Sequence, residues 1–324
     1  MQYRRLAGTD LDVSVLCFGP TRTGSADPGD DARNRAGERA FLAALDAGMN
    51  FVHSSYEYRR GSMATIGSVL KSHPKRKDIH HVVKVPVPDF EDNGTFSEAK
   101  FRLRVEEALQ LFGADRIAVL QWMWRSTPND NDRRLPMLPK VIDDVSAVFE
   151  KMRSEGKVGY LMTFPYTIEA GKAALALNRF CGLIGYFNLL TLELSDILPE
   201  LEKRGQGFIA LRPLYEGLLT DKRRSLASLS ADDRLHAREI HELYELREIV
   251  ARTFADEIGD SMTRFALQFP LYSAATASVA VGLNTEDQVR SAISMVDGVR
   301  PRPDLLTRAT DLWKTELRQH KSSN

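Results

Sequence analysis

The fold of this chain is indicated most clearly by the segment Gly48-Met49-Asn50-Phe51-Val52-His53-Ser54-Ser55-Tyr56-Glu57-Tyr58. Its apolar first half predicts a buried strand, and its polar second half predicts a turn at the end of that strand. His53 stands where the strand gives way to the turn, and Tyr58 follows five residues later. Both side chains are therefore expected near the end of one strand.

Short apolar runs of this kind recur along the chain and alternate with amphipathic segments. Eight runs predict buried strands: residues 15–18, 50–53, 81–85, 117–120, 158–162, 183–187, 208–211 and 278–281. Helical periodicity falls between them at residues 35–47, 97–111, 141–155 and 192–204, and Gly156 and Gly205 suit the position after a helix. Eight such alternations in 324 residues predict an α/β fold, a parallel (β/α)8 TIM barrel.

The remaining segments fit one barrel domain over residues 1–324. Residues 3–15, with a turn at residues 8–10, predict an N-terminal β-hairpin that plugs the bottom of the barrel. Residues 125–139 and 221–259 are expected as long loops on the active face, the second with a helix at 231–246, and residues 304–320 as a C-terminal helix. A doubly wound sheet would need an early glycine-rich phosphate turn, which residues 19–24 do not provide.

Composition points to an ordinary globular protein. The chain is 43% hydrophobic and 27% charged, and its formal net charge is +0, so general affinity for nucleic acid or membranes is not expected. Cys17 and Cys181 form no metal or redox motif, and no metal site is predicted. Neither a signal peptide nor a membrane span is predicted, so a cytoplasmic location is expected, and the sequence leaves the oligomeric state open.

Several motifs, by their order and spacing, resemble the aldo-keto reductases along nearly the whole chain. Gly48-Met49-Asn50-Phe51 resembles the second strand of that family, and Glu155-Gly156-Lys157-Val158 resembles the start of its fifth. The other matching pieces are Gly61-Ser62 with Ile66-Gly67, Phe187-Asn188-Leu189-Leu190, Pro213-Leu214 with Gly217-Leu218-Leu219-Thr220, and Val281-Gly282 with Thr285-Glu286-Asp287-Gln288. The resemblance implies a TIM barrel that reduces carbonyl compounds with NADP or NAD.

The resemblance assigns four catalytic positions, and two of them keep the residue that the family uses. Tyr58 matches the tyrosine that donates a proton to the carbonyl oxygen, and Lys84 matches the lysine that lowers the pKa of that tyrosine. His53 replaces the aspartate that pairs with the lysine, and Met123 stands where a histidine orients the carbonyl.

The positions that the resemblance assigns to the cofactor depart further. Phe164 and Pro165 replace a Ser-Asn pair that holds the carboxamide, and Ile184 replaces a glutamine. Leu211 replaces the aromatic residue that stacks on the nicotinamide, and Asn284 replaces the basic residue that neutralises the 2′-phosphate of NADP. The cofactor-binding positions implied are Phe164, Leu211, Gly282, Asn284 and Gln288. The expected cofactor is therefore NADP, NAD or none.

A histidine beside Lys84 changes the acid–base chemistry that is expected. An aspartate stabilises the ammonium form of a lysine, whereas a protonated histidine repels it. We expect lowered pKa values for both His53 and Lys84, which is typical of general bases. Together with Tyr58 they suit proton abstraction next to a carbonyl. Alternatively, His53 is only a hydrogen-bonded residue at a strand end in a barrel that has lost its activity.

Candidates for substrate binding surround these residues at predicted strand ends. Arginines there could attract a carboxylate or phosphate, although solvated loop charge is the simpler interpretation for most of them. Arg212 is the best supported, because it follows its strand directly. Tryptophans on a buried strand could line a pocket or could serve as packing. The candidates are Arg212, Arg125, Met123, Trp122 and Trp124, with Arg59 and Arg60 as further loop arginines.

Three hypotheses about function remain open from the sequence. The first is an aldo-keto-reductase-like enzyme that performs elimination or isomerisation without nicotinamide on a small polar, anionic or sugar-like carbonyl compound. The second is an NAD(P)H-dependent carbonyl oxidoreductase that works with an altered tetrad. The third is a non-catalytic barrel that binds a ligand.

Overall fold

A computed structural model of the chain describes residues 1–20, 31–55, 60–85, 96–124, 131–231, 233–237 and 240–318. Within these residues, eight parallel strands close a barrel in the order β10-β3-β4-β5-β6-β7-β8-β9. The strands are β3 (Leu16–Gly19), β4 (Phe51–Ser55), β5 (His80–Val85), β6 (Ile117–Trp122), β7 (Val158–Thr163), β8 (Gly182–Tyr186), β9 (Gly207–Leu211) and β10 (Thr276–Gly282). The predicted TIM barrel is confirmed, and each of its strands overlaps one of the predicted runs.

The N-terminal hairpin closes the bottom of the barrel, as predicted. Strands β1 (Tyr3–Arg5) and β2 (Asp12–Ser14) pair antiparallel. Leu6 and Val13 are fully buried, and they belong to the same apolar cluster as Cys17 and Phe51 inside the barrel. The hairpin side chains fill the lower end of this cluster, and active sites of such barrels lie at the opposite end, where the parallel strands finish.

Helices surround the barrel and bury their apolar sides against its outer face. Amphipathic sequences explain this layer, because their apolar residues recur at the spacing of one helical face. The helices are α1 (Asp31–Asp46), α2 (Arg60–Ser72), α3 (Glu98–Phe112), α4 (Asn131–Arg134), α5 (Leu138–Ser154), α6 (Ile168–Ala176), α7 (Leu198–Lys203), α8 (Ile240–Thr253), α9 (Ala255–Ile258), α10 (Met262–Gln268), α11 (Glu286–Met295) and α12 (Pro303–Leu312). Gly156 and Gly205 have φ values of 76° and 65°, the left-handed conformation predicted after α5 and α7.

The long segments contain more helix than the sequence indicated. In the described part of residues 125–139, α4 and a 3-10 turn at Leu135–Met137 lead directly into α5. The helix predicted at residues 231–246 is instead α8, which begins at Ile240. Asp233 accounts for the late start, because it accepts hydrogen bonds from Arg223 and from the backbone of Leu235 and thereby favours a 3-10 turn at Arg234–Ala237. The predicted C-terminal helix is α12, followed by a π-helical turn at Trp313–Leu317.

Among the described residues, no helix is long and apolar enough to cross a bilayer. The same residues contain no group of three or more histidine, cysteine, aspartate or glutamate side chains that could hold a metal ion.

Candidate active site

The mouth of the barrel has a polar side, which β4, β5 and β6 build. The strand register pairs Ser55 with Lys84 and Lys84 with Gln121, so three polar side chains stand in one interior layer. His53 lies two residues before Ser55 and therefore shares its inward face. His53, Ser55 and Gln121 are almost completely buried, and Lys84 is partly exposed. Polar groups in such a place require partners, because an unpaired buried donor or acceptor is costly.

His53 reaches across β5 to contact Gln121 on β6. The distance from Nε2 of His53 to Oε1 of Gln121 is 2.5 Å. Since an amide oxygen only accepts, this orientation places a proton on Nε2 of His53 and leaves Nδ1 as the basic nitrogen. Gln121 was missed as a candidate, although it is the only polar residue in β6 and faces inward with Val119 and Met123.

The environment of His53 strongly favours the neutral ring. Burial, and secondarily the charge of Lys84, lowers its pKa from 6.5 to about 3, although the hydrogen bond to Gln121 acts in the opposite direction. The direction is the one expected for a histidine beside a lysine. The extent exceeds what a general base needs at neutral pH, because so weak a base rarely holds the proton that it removes. His53 therefore suits a neutral hydrogen-bonding role.

The mouth has an apolar and mostly aromatic side, which β7, the loop after it, β8 and β9 build. The ring of Phe164 lies 4.7 Å from the ring of Tyr166 and 4.9 Å from the ring of Tyr186, both edge to face. Phe164 is 1% exposed, and Leu211, at the end of β9, is 6% exposed. These side chains continue the apolar cluster of the barrel interior, which also contains Met123 and Ile184. We call Phe164, Tyr166, Tyr186 and Leu211 the aromatic side.

Arg212 extends from the end of β9 over the aromatic side. Its guanidinium carbon lies 4.3 Å from the ring centre of Tyr186, and its Nη1 lies 3.5 Å from Oε1 of Glu216. The backbone here is unusual, because Arg212, Tyr215 and Glu216 have φ values of 56°, 43° and 58°. Left-handed backbone costs an L-residue about 1–2 kcal/mol, whereas a surface ion pair contributes about 0–1 kcal/mol. The ion pair therefore does not account for the shape of this loop.

The remaining cofactor positions lie where β10 meets α11. Gly282 ends β10 and is exposed, and the backbone N–H of Asn284 donates to Oε1 of Gln288 over 2.8 Å. The first turn of α11 carries Glu286 and Asp287, which pair with Arg39 and Arg290. Asn284 and Gln288 themselves offer a 2′-phosphate only neutral side chains, without the charge-assisted hydrogen bonds that a basic residue would give.

The other predicted residues face the helix layer, belong to the apolar interior of the barrel, or lie outside the described residues. Trp122 and Trp124 belong to the layer between barrel and helices, where the ring of Trp122 stacks on Phe180 at 6.2 Å. Met123 is buried on the inner face. Tyr58, Arg59 and Arg125, and the side chain of Arg60, lie outside the described residues.

A (β/α)8 barrel with a polar layer and a lysine at its open end is a common design of enzymes that act on small molecules. The model of the Aldo/keto reductase family matches residues 15–299. The chain belongs to the aldo/keto reductase family, and the predicted resemblance is confirmed.

Two curated relatives match over most of their length. One is the uncharacterized oxidoreductase YqkF of Bacillus subtilis, 25% identical over 310 residues, which cover 93% of this chain and 92% of that protein. The other is L-galactose dehydrogenase of Arabidopsis thaliana, 24% identical over 312 residues, with 91% and 88% covered.

Two solved structures share the fold at 22% identity. The aldo-keto reductase AKR11C1 from Bacillus halodurans, in its holo form, has a TM-score of 0.73, with 96% of each chain covered. The glycerol dehydrogenase AKR11B4 from Gluconobacter oxydans has a TM-score of 0.71, with 97% of this chain and 96% of that chain covered.

Proposed function

We propose that this chain is an enzyme that moves protons on a small polar carbonyl compound, such as a sugar, without hydride transfer. The single observation that carries the proposal is the aromatic side of the mouth. At the positions that the family resemblance gives to the nicotinamide, Phe164 and Leu211 are buried, and Phe164 packs against Tyr166 and Tyr186. The residues present do not fit a nicotinamide cofactor there.

The polar side of the mouth, formed by β4, β5 and β6, supports acid–base chemistry. Lys84 is partly exposed at the mouth and serves in the proposal as the base that removes a proton next to the carbonyl. Tyr58, by the resemblance, donates a proton to the carbonyl oxygen. His53 and Gln121 hold each other in place beside Lys84, and the neutral His53 ring adds no positive charge that would repel a cation. In this proposal His53 has a positioning role in place of the added base that the sequence predicted.

A second candidate is an NAD(P)H-dependent carbonyl oxidoreductase that uses Tyr58 and Lys84. Family membership favours it, as do the relatives that are named as oxidoreductase and dehydrogenase. It requires the nicotinamide either to displace the side chains of Phe164 and Leu211 or to bind elsewhere at the mouth. A non-catalytic ligand-binding barrel is the third hypothesis, which any turnover that depends on Lys84 would exclude.

The deciding experiment combines cofactor titration with a proton-exchange assay. We expect calorimetric titration to show no saturable binding of NADPH or NADH up to millimolar concentration. In D2O, we expect NMR to show deuterium entering the carbon next to the carbonyl of a small aldose or ketose when the protein is added. Micromolar binding of either nucleotide would reject the proposal in favour of the second candidate.

Two variants test whether the proposed acid and base cause the deuterium exchange. Tyr58→Phe and Lys84→Met should each slow the exchange about 100-fold or more, because positioned acid–base groups contribute about 10²–10⁴ in rate. Lys157→Met is the matched control, since Lys157 pairs with Glu106 and Glu155 at the opposite end of the barrel. Equal loss in all three variants would show a structural effect and contradict the assignment.

A further inference from the structure

Arg212 presents a cation at the rim of the mouth in a fixed position. Its guanidinium rests on the ring of Tyr186 at 4.3 Å, and its side chain is 48% exposed. Within the described residues, the carboxylate of Glu216 is the anion that it contacts, through Nη1 at 3.5 Å. The planar guanidinium has donors on two edges, so this contact leaves most of them for another acceptor.

The loop at residues 212–217 holds the arginine in that position. The carbonyl oxygen of Arg212 accepts hydrogen bonds from Nδ2 of Asn188, over 2.9 Å, and from the backbone N–H of Tyr215, over 3.0 Å. Asn188 is buried directly after β8, so the barrel itself fixes the turn. Left-handed backbone at Arg212 then directs its side chain across Tyr186. Strained backbone that the surrounding structure holds in place is typical of functional sites.

We infer that Arg212 and Tyr186 form a subsite for a carboxylate on the ligand, and that Glu216 occupies this subsite until the ligand replaces it. Guanidinium and carboxylate are matched in shape, because two parallel N–H donors meet two oxygens. Glu216 meets the guanidinium through a single contact, Nη1 to Oε1 at 3.5 Å, so a ligand carboxylate that engages two donors replaces a weaker pairing with a stronger one. The role of this subsite in catalysis rests on the proposed function: it would select a carbonyl compound that carries a carboxylate as the substrate.

Binding of a matched pair of sugars tests the subsite without requiring turnover. D-glucuronate and D-glucose differ by the carboxylate, and inorganic phosphate tests the other common oxyanion. We expect calorimetry to show that the full-length protein binds D-glucuronate at least tenfold more tightly than either D-glucose or phosphate. Arg212→Gln should remove that preference, and Glu216→Gln should tighten D-glucuronate binding severalfold because the internal competitor is gone.

The control variant is Arg153→Gln. Arg153 is exposed and pairs with Glu150 at 3.2 Å, near the end of α5 and far from the mouth. It should keep the preference for D-glucuronate, and circular dichroism should show that all three variants fold. Absence of D-glucuronate binding, equal binding of both sugars, tighter binding of phosphate, or a preference that survives Arg212→Gln would each overturn the inference. If D-glucuronate binds as expected but no proton exchange occurs, the subsite stands and the proposed function fails.

Discussion

His53 and Gln121 illustrate how two buried polar residues depend on each other. Either side chain alone would leave a buried donor or acceptor without its partner, which costs about 1–3 kcal/mol. Replacing both partners with apolar side chains of similar size removes that penalty. The 2.5 Å contact across β5 pairs Nε2 of His53 with the amide oxygen of Gln121, whereas Nε2 of Gln121 has no hydrogen-bond partner among the described residues.

A double-mutant cycle measures this dependence. We expect His53→Leu and Gln121→Leu each to lower the free energy of unfolding by about 1–3 kcal/mol. The double variant should lose less than the sum of the two, because no unpaired group remains. Urea denaturation gives all four values. Additive losses would show that the contact contributes little.

At the level of single residues, the sequence indicated which strands carry His53 and Lys84 but not what these side chains contact. The register of β4 and β5 and the inward positions of Phe51 and Val82 place both side chains on the inner face. The partner of His53 could not be predicted, because it depends on how far a side chain reaches across β5 to β6. Arg212 was selected for its place after β9, but its left-handed backbone follows from a hydrogen bond with Asn188, 24 residues away.

Among the secondary-structure elements, α2 and α3 cross at a point where only glycine fits. A Cβ atom on Gly67 would lie within 2 Å of the carbonyl oxygen of Leu111, which is backbone and cannot move aside. Helix α2 begins directly after the segment that carries Tyr58. The crossing therefore fixes the position of α2 against α3.

We expect Gly67→Ala to lower the free energy of unfolding by about 1–3 kcal/mol, because the two helices must separate. Alanine otherwise favours a helix by about 1 kcal/mol over glycine. Ala64→Gly, at an exposed position of the same helix, measures that propensity separately. Thermal or urea denaturation checks both variants. A Gly67→Ala protein as stable as the parent would show that the two helices separate at little cost in free energy.

Elements with a regular hydrophobic period could be predicted from the sequence. Elements whose ends are set by side-chain hydrogen bonds could not. The strands of the barrel are continuous apolar runs, which buried parallel strands require. The start of α8 could not be predicted, since the tie between Asp233 and Arg223 competes with helix before Ile240. Asp221 stabilises the start of α10, about 40 residues later in the chain, where it accepts hydrogen bonds from Ser261, Met262 and Thr263.

For the whole molecule, two buried histidines make stability depend on pH. Burial lowers the pKa of both His53 and His81 to about 3, against 6.5 for an ordinary histidine. His81 stacks on Phe112 at 4.2 Å, and within the described residues neither of its ring nitrogens has a hydrogen-bond partner. The unfolded chain therefore binds more protons than the folded chain between about pH 6.5 and 3. Their contribution is complete above pH 6.5 and is lost as the pH falls toward 3.

Each histidine should lower the free energy of unfolding by about 2 kcal/mol as the pH falls from 6.5 to 5, because one proton per histidine corresponds to about 1.4 kcal/mol per pH unit. Urea denaturation at several pH values measures the slope. His81→Phe should reduce the slope that histidines cause by about half, because it removes one of the two groups. His241→Gln, at an exposed position, should leave it unchanged. A slope that is the same in His81→Phe would contradict the assignment.

The polar and aromatic sides of the mouth come from different halves of the chain. Residues 51–122 supply His53, Ser55, Lys84 and Gln121, whereas residues 164–212 supply Phe164, Tyr186, Leu211 and Arg212. Parallel strands around a closed barrel make this separation unavoidable, because neighbours in sequence are neighbours around the ring. Acid–base residues and ligand contacts can therefore diverge independently during evolution. A chimaera whose second half comes from a relative would bind a different ligand, while Lys84 and its neighbours would stay in place.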